Sequence, residues 1–259
     1  MNNSAKESAC SGHRERLRSK YERSGIDSWA DYEIVEYMLT LIIPRVDVKP
    51  TAKNMLSKFG SVSGILDAPI EDLQKIEGIG RSSALAIHFL KDLISVYHRD
   101  ELKKPGNEIS TISKLMRFFK SRIGGLPNEV LEMVCFDAKL RIVPDGAVRL
   151  FEGSVNSANV DIRRIVETAI KKGASSIALA HNHPSGDPRP SFEDIRFTRK
   201  LSSACKPIDL NFIEHIIVGK NACFSFRRDG RFDDLYDESL EESRIGMRRV
   251  SDTKRKIAK

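Results

Sequence analysis

The sequence of 259 residues predicts an α/β protein in which an all-helical N-terminal domain precedes a mixed α/β domain. Apolar residues recur at helical spacing through residues 1–105, whereas short β-rich runs alternate with helical stretches further on. Between these parts, the segment Leu102–Asn107 combines lysine, proline and glycine, as linkers do. We therefore predict a helical domain at residues 1–105, an α/β domain at residues 107–228 and a basic tail at residues 229–259.

In the helical domain, proline and glycine mark where the helices begin and end. Helical spacing over residues 32–39 predicts one helix. Thr51 suits the N-cap of a second helix that ends at Gly60. A short helix opens after Pro69, and an apolar helix follows the next glycines and runs through Leu93.

In the α/β domain, β-branched and aromatic runs bounded by turn residues predict the strands. The predicted turns are Asp137–Lys139 and Pro144–Gly146. The predicted strands are Val130–Phe136, Leu140–Val143, Ala147–Phe151, Ser176–Ala180, Phe212–Val218 and Cys223–Arg227. The predicted helices are Ser113–Arg122, Ser157–Lys172 and Phe192–Ala204.

The stretch H-N-H-P-S-G-D-P-R-P-S-F-E-D at residues 181–194 is the part of the sequence that says most about function. His181 and His183 end a predicted strand, in which residues i and i+2 point to the same face. Asp194 would return from the start of the next helix. Two imidazoles and a carboxylate are the three protein ligands of a catalytic zinc site, whose fourth position is left for water. Ser191 and Asp194 also match a helix capping box, which needs no metal but is compatible with one.

These residues resemble the JAMM (MPN+) metalloprotease signature, through the spacing His181-x-His183, seven residues, Ser191, two residues, Asp194. The fuller string is similar to that of the bacterial RadC family (UPF0758), over about residues 12–228. The resemblance implies a JAMM/MPN-like domain, a cytidine-deaminase-like sandwich, behind a helix-hairpin-helix domain. It also implies one Zn²⁺ per chain and hydrolysis of a peptide or isopeptide bond in a peptide or protein substrate.

A zinc hydrolase also needs a general base to move protons. In the JAMM pattern this is a glutamate near the start of the first strand of the domain, and Glu129 occupies that place here. Glu132 and Glu152 are the alternatives, and Glu152 also stands at a predicted strand end. Ser191 would donate a hydrogen bond to the developing oxyanion, or would serve only as a helix cap.

Other polar residues near the motif are predicted to have supporting roles. Asp187 is interpreted as a turn residue or as a partner of a histidine. His215 is interpreted as a core residue or a ligand's partner rather than as a ligand. The widely spaced cysteines predict no disulfide framework; they are Cys10, Cys135, Cys205 and Cys223.

A second hypothesis is a DNA-associated repair or recombination module. The turn Gly78-Ile79-Gly80-Arg81 resembles a helix-hairpin-helix motif, in which backbone N–H groups can face a phosphate. A plain helix-to-helix turn is the alternative. The net charge is +7, and Arg248–Lys259 holds six basic residues and one acidic residue. Such a tail either binds DNA phosphates non-specifically or keeps the protein soluble.

Several other classes of protein are disfavoured. No apolar run approaches the roughly 20 residues that cross a bilayer, and the N-terminal residues are polar, so we expect a cytoplasmic protein without a membrane partner. A nucleobase deaminase would need a Pro-Cys-x-x-Cys motif, which the sequence lacks. A single-zinc nuclease is a further alternative that zinc analysis and cleavage assays would distinguish.

Overall fold

The computed structural model describes residues 3–104, 108–153 and 161–229. The chain divides into two compact units, the first ending at Val96 and the second beginning at Tyr97. The predicted basic run at residues 248–259 lies outside the described residues. Among the described helices, none combines the length and the apolar character that a membrane span requires.

The first unit is helical, as the sequence predicts. Its core consists of aliphatic side chains from several helices, among them Leu39, Met55 and Ile87, all fully buried. The helices are α1 (Asn3–Ser24), α2 (Asp31–Ile42), α3 (Lys49–Phe59), α4 (Val62–Asp67), α5 (Ile70–Leu73) and α6 (Arg81–Leu102), which runs on into the second unit.

Helix α3 begins earlier than the sequence indicates. Its N-cap is Val48 and Pro50 lies in its first turn, a position where proline costs no backbone hydrogen bond. Thr51 therefore lies inside the helix, and its hydroxyl donates to the Glu77 carbonyl at 3.4 Å. The predicted end is correct, because Gly60 adopts a φ of 79° that closes the helix.

The second unit is built on a five-stranded mixed sheet in the order β2-β1-β3-β4-β5. Strands β3 and β4 are parallel, and the other neighbours are antiparallel. The strands are β1 (Glu129–Phe136), β2 (Ile142–Gly153), β3 (Ser176–Asn182), β4 (Asn211–Val218) and β5 (Cys223–Ser225). Strand β3 is buried along its whole length.

Helices cover both faces of this sheet, which gives the sandwich that the family resemblance implies. Helix α7 (Glu108–Ile123) packs on one face, where alternate residues of β1 such as Val130 and Val134 point. Helices α8 (Ile162–Lys171) and α9 (Phe192–Cys205) pack on the other face, against Leu131 and Met133. The face under α8 and α9 is the one that carries the candidate site.

The predicted turn at Pro144–Gly146 is wrong, because β2 continues through it as a single strand. The register against β1 shifts between Val134 and Phe136, so the extra residues form an irregularity in the ladder instead of a reversal. A side chain at Gly146 would lie 2.8 Å from the Cys135 carbonyl oxygen, so glycine allows this close approach.

Leu102 is a core residue, although its sequence neighbours have the character of a linker. It is only 1% exposed and packs with Leu115 and Phe118 of α7 in the second unit. The division into compact units falls between Val96 and Tyr97, within α6, and the domain bounds expected from the sequence stay a prediction. Residues 105–107 of the predicted linker lie outside the described residues.

We expect the second unit to fold alone, and its stability to depend on Leu102. A fragment of residues 97–229 should be more stable to urea than one of residues 107–229, by about 1.5–3 kcal/mol for burying the leucine. Leu102→Ala in the longer fragment should cost about 2–5 kcal/mol. Equal urea midpoints for the longer fragment and its alanine variant would contradict the assignment of Leu102 to this core.

Candidate metal centre

The end of β3 places two histidines on the face covered by α8 and α9. His181 is opposite Leu131 of β1 and beside Ile217 of β4, both of which belong to the core on that face. His183 follows the strand, and its N–H donates to the Val218 carbonyl at 2.9 Å, which extends the pairing with β4 by one residue. The two side chains therefore project from the same sheet end.

Asn182, between the two histidines, points to the opposite face and is 2% exposed. Its side-chain oxygen accepts from the Val130 N–H at 2.8 Å, and its side-chain nitrogen donates to the Asn128 carbonyl at 2.9 Å. These two bonds hold the backbone of the residues immediately before and after Glu129. Asn182 thus ties the start of β1 to the end of β3, a role that the sequence alone did not indicate.

Three side chains meet where β3 ends and α9 begins. His181 Nε2 lies 3.0 Å from His183 Nε2 and 3.2 Å from Asp194 Oδ1, and His183 Nε2 lies 3.5 Å from Asp194 Oδ2. One ligand atom from each residue lies within 4.8 Å of the other two. The residues that the sequence singles out as metal ligands are thus brought together in space.

Asp194 is oriented by the start of α9. Ser191 is the N-cap, and both its N–H (2.7 Å) and its hydroxyl (2.6 Å) donate to Asp194 Oδ2, while the Asp194 N–H donates back to Ser191 Oγ at 3.1 Å. Burial opposes ionisation of Asp194, but the adjacent imidazoles of His181 and His183 and the hydrogen bond from Ser191 outweigh it and hold the pKa of that carboxyl well below its usual range. The carboxylate is therefore charged, with Oδ1 directed at His181.

The far nitrogens of both histidines have partners. His183 Nδ1 donates to the Asp187 backbone carbonyl at 2.8 Å, while the Asp187 carboxylate accepts from Arg189 Nε at 2.7 Å. His181 Nδ1 lies 3.0 Å from Nε2 of His215, a fully buried residue on β4. Burial lowers the pKa of His215 well below its usual value, so its imidazole is neutral.

The donor set fits a zinc ion. Two imidazole nitrogens and one carboxylate oxygen are ligands that Zn²⁺ takes in catalytic sites, and their far sides are fixed as such ligands require. The hydrogen bond with Asp194 raises the pKa of His183, with a smaller contribution from Glu129, so the cluster attracts positive charge. The described residues of the site could therefore hold a metal ion.

Glu129 lies on the same face of β1 as Leu131 and so on the side of His181. It is half-buried and lines a cavity of about 480 Å³ together with His181 and Asp194. Within the described part of the chain, no hydrogen bond or ion pair engages its carboxylate. Glu129 is thus placed where a general base could reach a substrate beside the metal ligands.

The two alternative glutamates lie elsewhere. Glu132 is 1% exposed on the opposite face, where Arg122 Nε of α7 donates to it at 2.6 Å. Glu152 is paired with Val130, so its side chain also points away from the histidines, and it binds Arg149 at 2.9 Å. The geometry therefore favours Glu129 among the three.

The candidate DNA-binding hairpin has a clear structural role. Gly78 adopts a φ of 87°, and Ile79 is 4% exposed in the core of the first unit. Helix α6 begins at Arg81, which is exposed. The turn is therefore fixed by packing, and contact with a phosphate stays a prediction.

Comparisons with known proteins agree with this architecture. Residues 109–231 match the family model described as a RadC-like JAB domain, which supports a JAMM-like fold. A UPF0758 protein of Fusobacterium nucleatum is 36% identical over 227 residues, or 85% of this chain and 96% of that protein. A UPF0758 protein of Ruegeria pomeroyi is 34% identical over 220 residues, or 84% of this chain and 96% of that protein. The chain therefore belongs to the RadC (UPF0758) family.

Proposed function

We propose that the protein is a zinc-dependent metallohydrolase of the JAMM type, a metalloprotease or isopeptidase acting on a peptide or protein in the cytoplasm. The observation that carries this proposal is the convergence of His181, His183 and Asp194 beside Glu129 in one cavity. Two nitrogen ligands, one oxygen ligand and a carboxylate beside them are the parts that metal-assisted amide hydrolysis needs.

His181, His183 and Asp194 would hold one Zn²⁺. When bound, zinc supplies an activated water with a pKa of about 7 and polarises the amide carbonyl. Glu129 accepts a proton from the attacking water and returns it to the leaving nitrogen, which is how a general base commonly serves both steps. The half-buried position of Glu129 keeps it available for these transfers.

The cavity suits an extended peptide. Its apolar wall can receive a side chain, and it is formed by Leu131, Phe151, Ile162 and Phe197. Strand β2 is at the edge of the described sheet, so its outer backbone groups can pair with an added strand. Together these features support a substrate that lies along β2 with its scissile bond near Glu129.

Ser191 caps α9 in this structure, and its single hydroxyl proton is donated to Asp194 Oδ2. A contact with the oxyanion would require this hydroxyl to turn away from Asp194. We therefore assign Ser191 first to orienting the carboxylate, and to oxyanion stabilisation only after such a rotation.

A DNA-associated role is the second candidate. The exposed Arg81 at the start of α6 and the net charge of +7 favour it, together with the basic tail. Gly78 and Gly80 would let the backbone approach a phosphate without sequence specificity. Both roles are compatible in one chain, because they use different residues.

The purified protein should contain about one zinc ion per chain. His181→Ala and His183→Ala should each release most of the metal, because each removes one of three ligands. His98→Ala, which alters a histidine on α6, is the matched control and should keep it. Zinc is measured by elemental analysis after dialysis, and a normal zinc content in the double variant His181→Ala/His183→Ala would rule out the assigned site.

Glu129→Gln should keep its zinc and lose hydrolytic turnover by about 100- to 10,000-fold, because the carboxylate moves protons and does not bind the metal. Activity is measured with a peptide library on the zinc-loaded protein. Glu152→Gln should retain activity, since its side chain points to the other face. Full activity of Glu129→Gln beside an inactive Glu152→Gln would show that the base is the other glutamate.

DNA binding, if the second role holds, should be directed at phosphates and weaken steeply with salt. Arg81→Ala should lower the slope of log affinity against log salt by about one, whereas Arg81→Lys should preserve it. Deleting residues 248–259 should lower that slope further. Tight binding of a random-sequence duplex by a fragment of residues 97–229 would contradict this division and favour the nuclease alternative.

A further inference from the structure

A row of hydrogen bonds lies behind His181, on the side away from the cavity. His181 Nδ1 is 3.0 Å from His215 Nε2, and His215 Nδ1 is 2.6 Å from Thr198 Oγ1. Thr198 Oγ1 in turn donates to the backbone carbonyl of Asp194 at 2.6 Å. The row starts at one candidate ligand and ends at the backbone of another.

The donor and the acceptor of each hydrogen bond can be assigned by starting from the backbone carbonyl of Asp194. A carbonyl oxygen only accepts, so the single hydroxyl proton of Thr198 is committed to it. Thr198 Oγ1 must then accept from His215, which places a proton on His215 Nδ1. The hydroxyl therefore selects one tautomer of the buried imidazole.

Aromatic side chains enclose the ring of His215. The residue is 0% exposed, and its ring stacks on Phe226 with centroids 5.1 Å apart and planes at 4°. Phe197 lies edge-on at 6.0 Å, and the backbone N–H of His215 donates to Glu214 Oε1 at 2.8 Å. With its one proton bonded to Thr198 through Nδ1, the enclosed neutral ring carries a lone pair on Nε2.

The tautomer of His215 determines which nitrogen of His181 can bind a metal ion. Because His215 Nε2 is an acceptor, His181 Nδ1 must be the donor between them, and His181 Nε2 is left with its lone pair. That lone pair faces His183 and Asp194. We propose that His215 and Thr198 are positioning residues that set the tautomer of His181 and so present its Nε2 as a metal ligand.

The Nδ1 atoms of the two histidines therefore bind different kinds of partner. His183 Nδ1 donates to a backbone carbonyl, that of Asp187, which no side-chain substitution removes. His181 depends on two side chains, on β4 and α9. Metal affinity should accordingly respond to substitutions at positions 198 and 215, although neither side chain touches the metal position. This inference rests on the proposed zinc site.

The decisive comparison uses Thr198→Val and Thr198→Ser in the full chain. Valine has nearly the same shape but no hydroxyl, so His215 is free to place its proton on Nε2 and force His181 into the wrong tautomer. Zinc affinity, measured by competition with a chromophoric chelator, should fall by about 10- to 100-fold for the valine variant. Serine keeps the hydroxyl and should retain the affinity of the unchanged protein.

Position 215 gives an independent comparison. His215→Phe fills the space without an acceptor and should lower zinc affinity by a similar factor. His215→Gln offers a carbonyl oxygen near the former Nε2 and should restore much of it. The absorption spectrum of the cobalt-substituted protein should change with Phe and recover with Gln, which loss of packing alone would not produce.

Nitrogen-15 shifts of the histidine rings test the tautomers directly, in the metal-free and in the zinc-loaded protein. We expect a protonated Nδ1 and an unprotonated Nε2 for His215 in both. Equal zinc affinity of the unchanged protein, Thr198→Val and His215→Phe would overturn the positioning role. If the unchanged protein binds no zinc, the proposed function fails. A proton on His215 Nε2 would separately overturn the positioning role of His215 and Thr198.

Discussion

The pairing of β3 with strands on both of its sides is the constraint on which the candidate site depends. Antiparallel bonds to β1 and parallel bonds to β4 hold the register of β3, and a slip of one residue would reverse the face of every side chain. This register puts His181 under α9 and turns Asn182 towards α7. The pairing of β3 therefore determines on which face the side chain of His181 lies.

The residues at the start of α9 cap the helix and also form part of the candidate site. The capping box uses Oδ2 of Asp194 and leaves Oδ1 facing His181, so one carboxylate serves both purposes. Thr198, one turn further along, bonds the Asp194 carbonyl and also His215. A change at the start of this helix would therefore alter both the helix and the ligand set.

The hydrophobic periodicity of the sequence predicted most of the strands. It was misleading where contacts with other segments determine the structure. The apolar run that became β3 and the helices beside it follow from periodicity, which each segment carries within itself. Pro144–Gly146 has the composition of a turn, yet pairing with β1 keeps it in a strand. Leu102 has the neighbours of a linker residue, yet it is buried in a core with α7. Both outcomes depend on contacts with distant segments, which composition does not contain.

The sequence by itself identified the candidate ligands, because His181, His183 and Asp194 stand at a strand end and a helix start within a motif of 14 residues. It left three glutamates open as the base, and the tertiary structure places only Glu129 of the three on the face of the candidate ligands. Only the structure brought His215 to His181, from 34 residues away. Local spacing specifies the candidate ligands, whereas the faces of the glutamates and the partners of the histidines depend on how the strands pair, which no single segment contains.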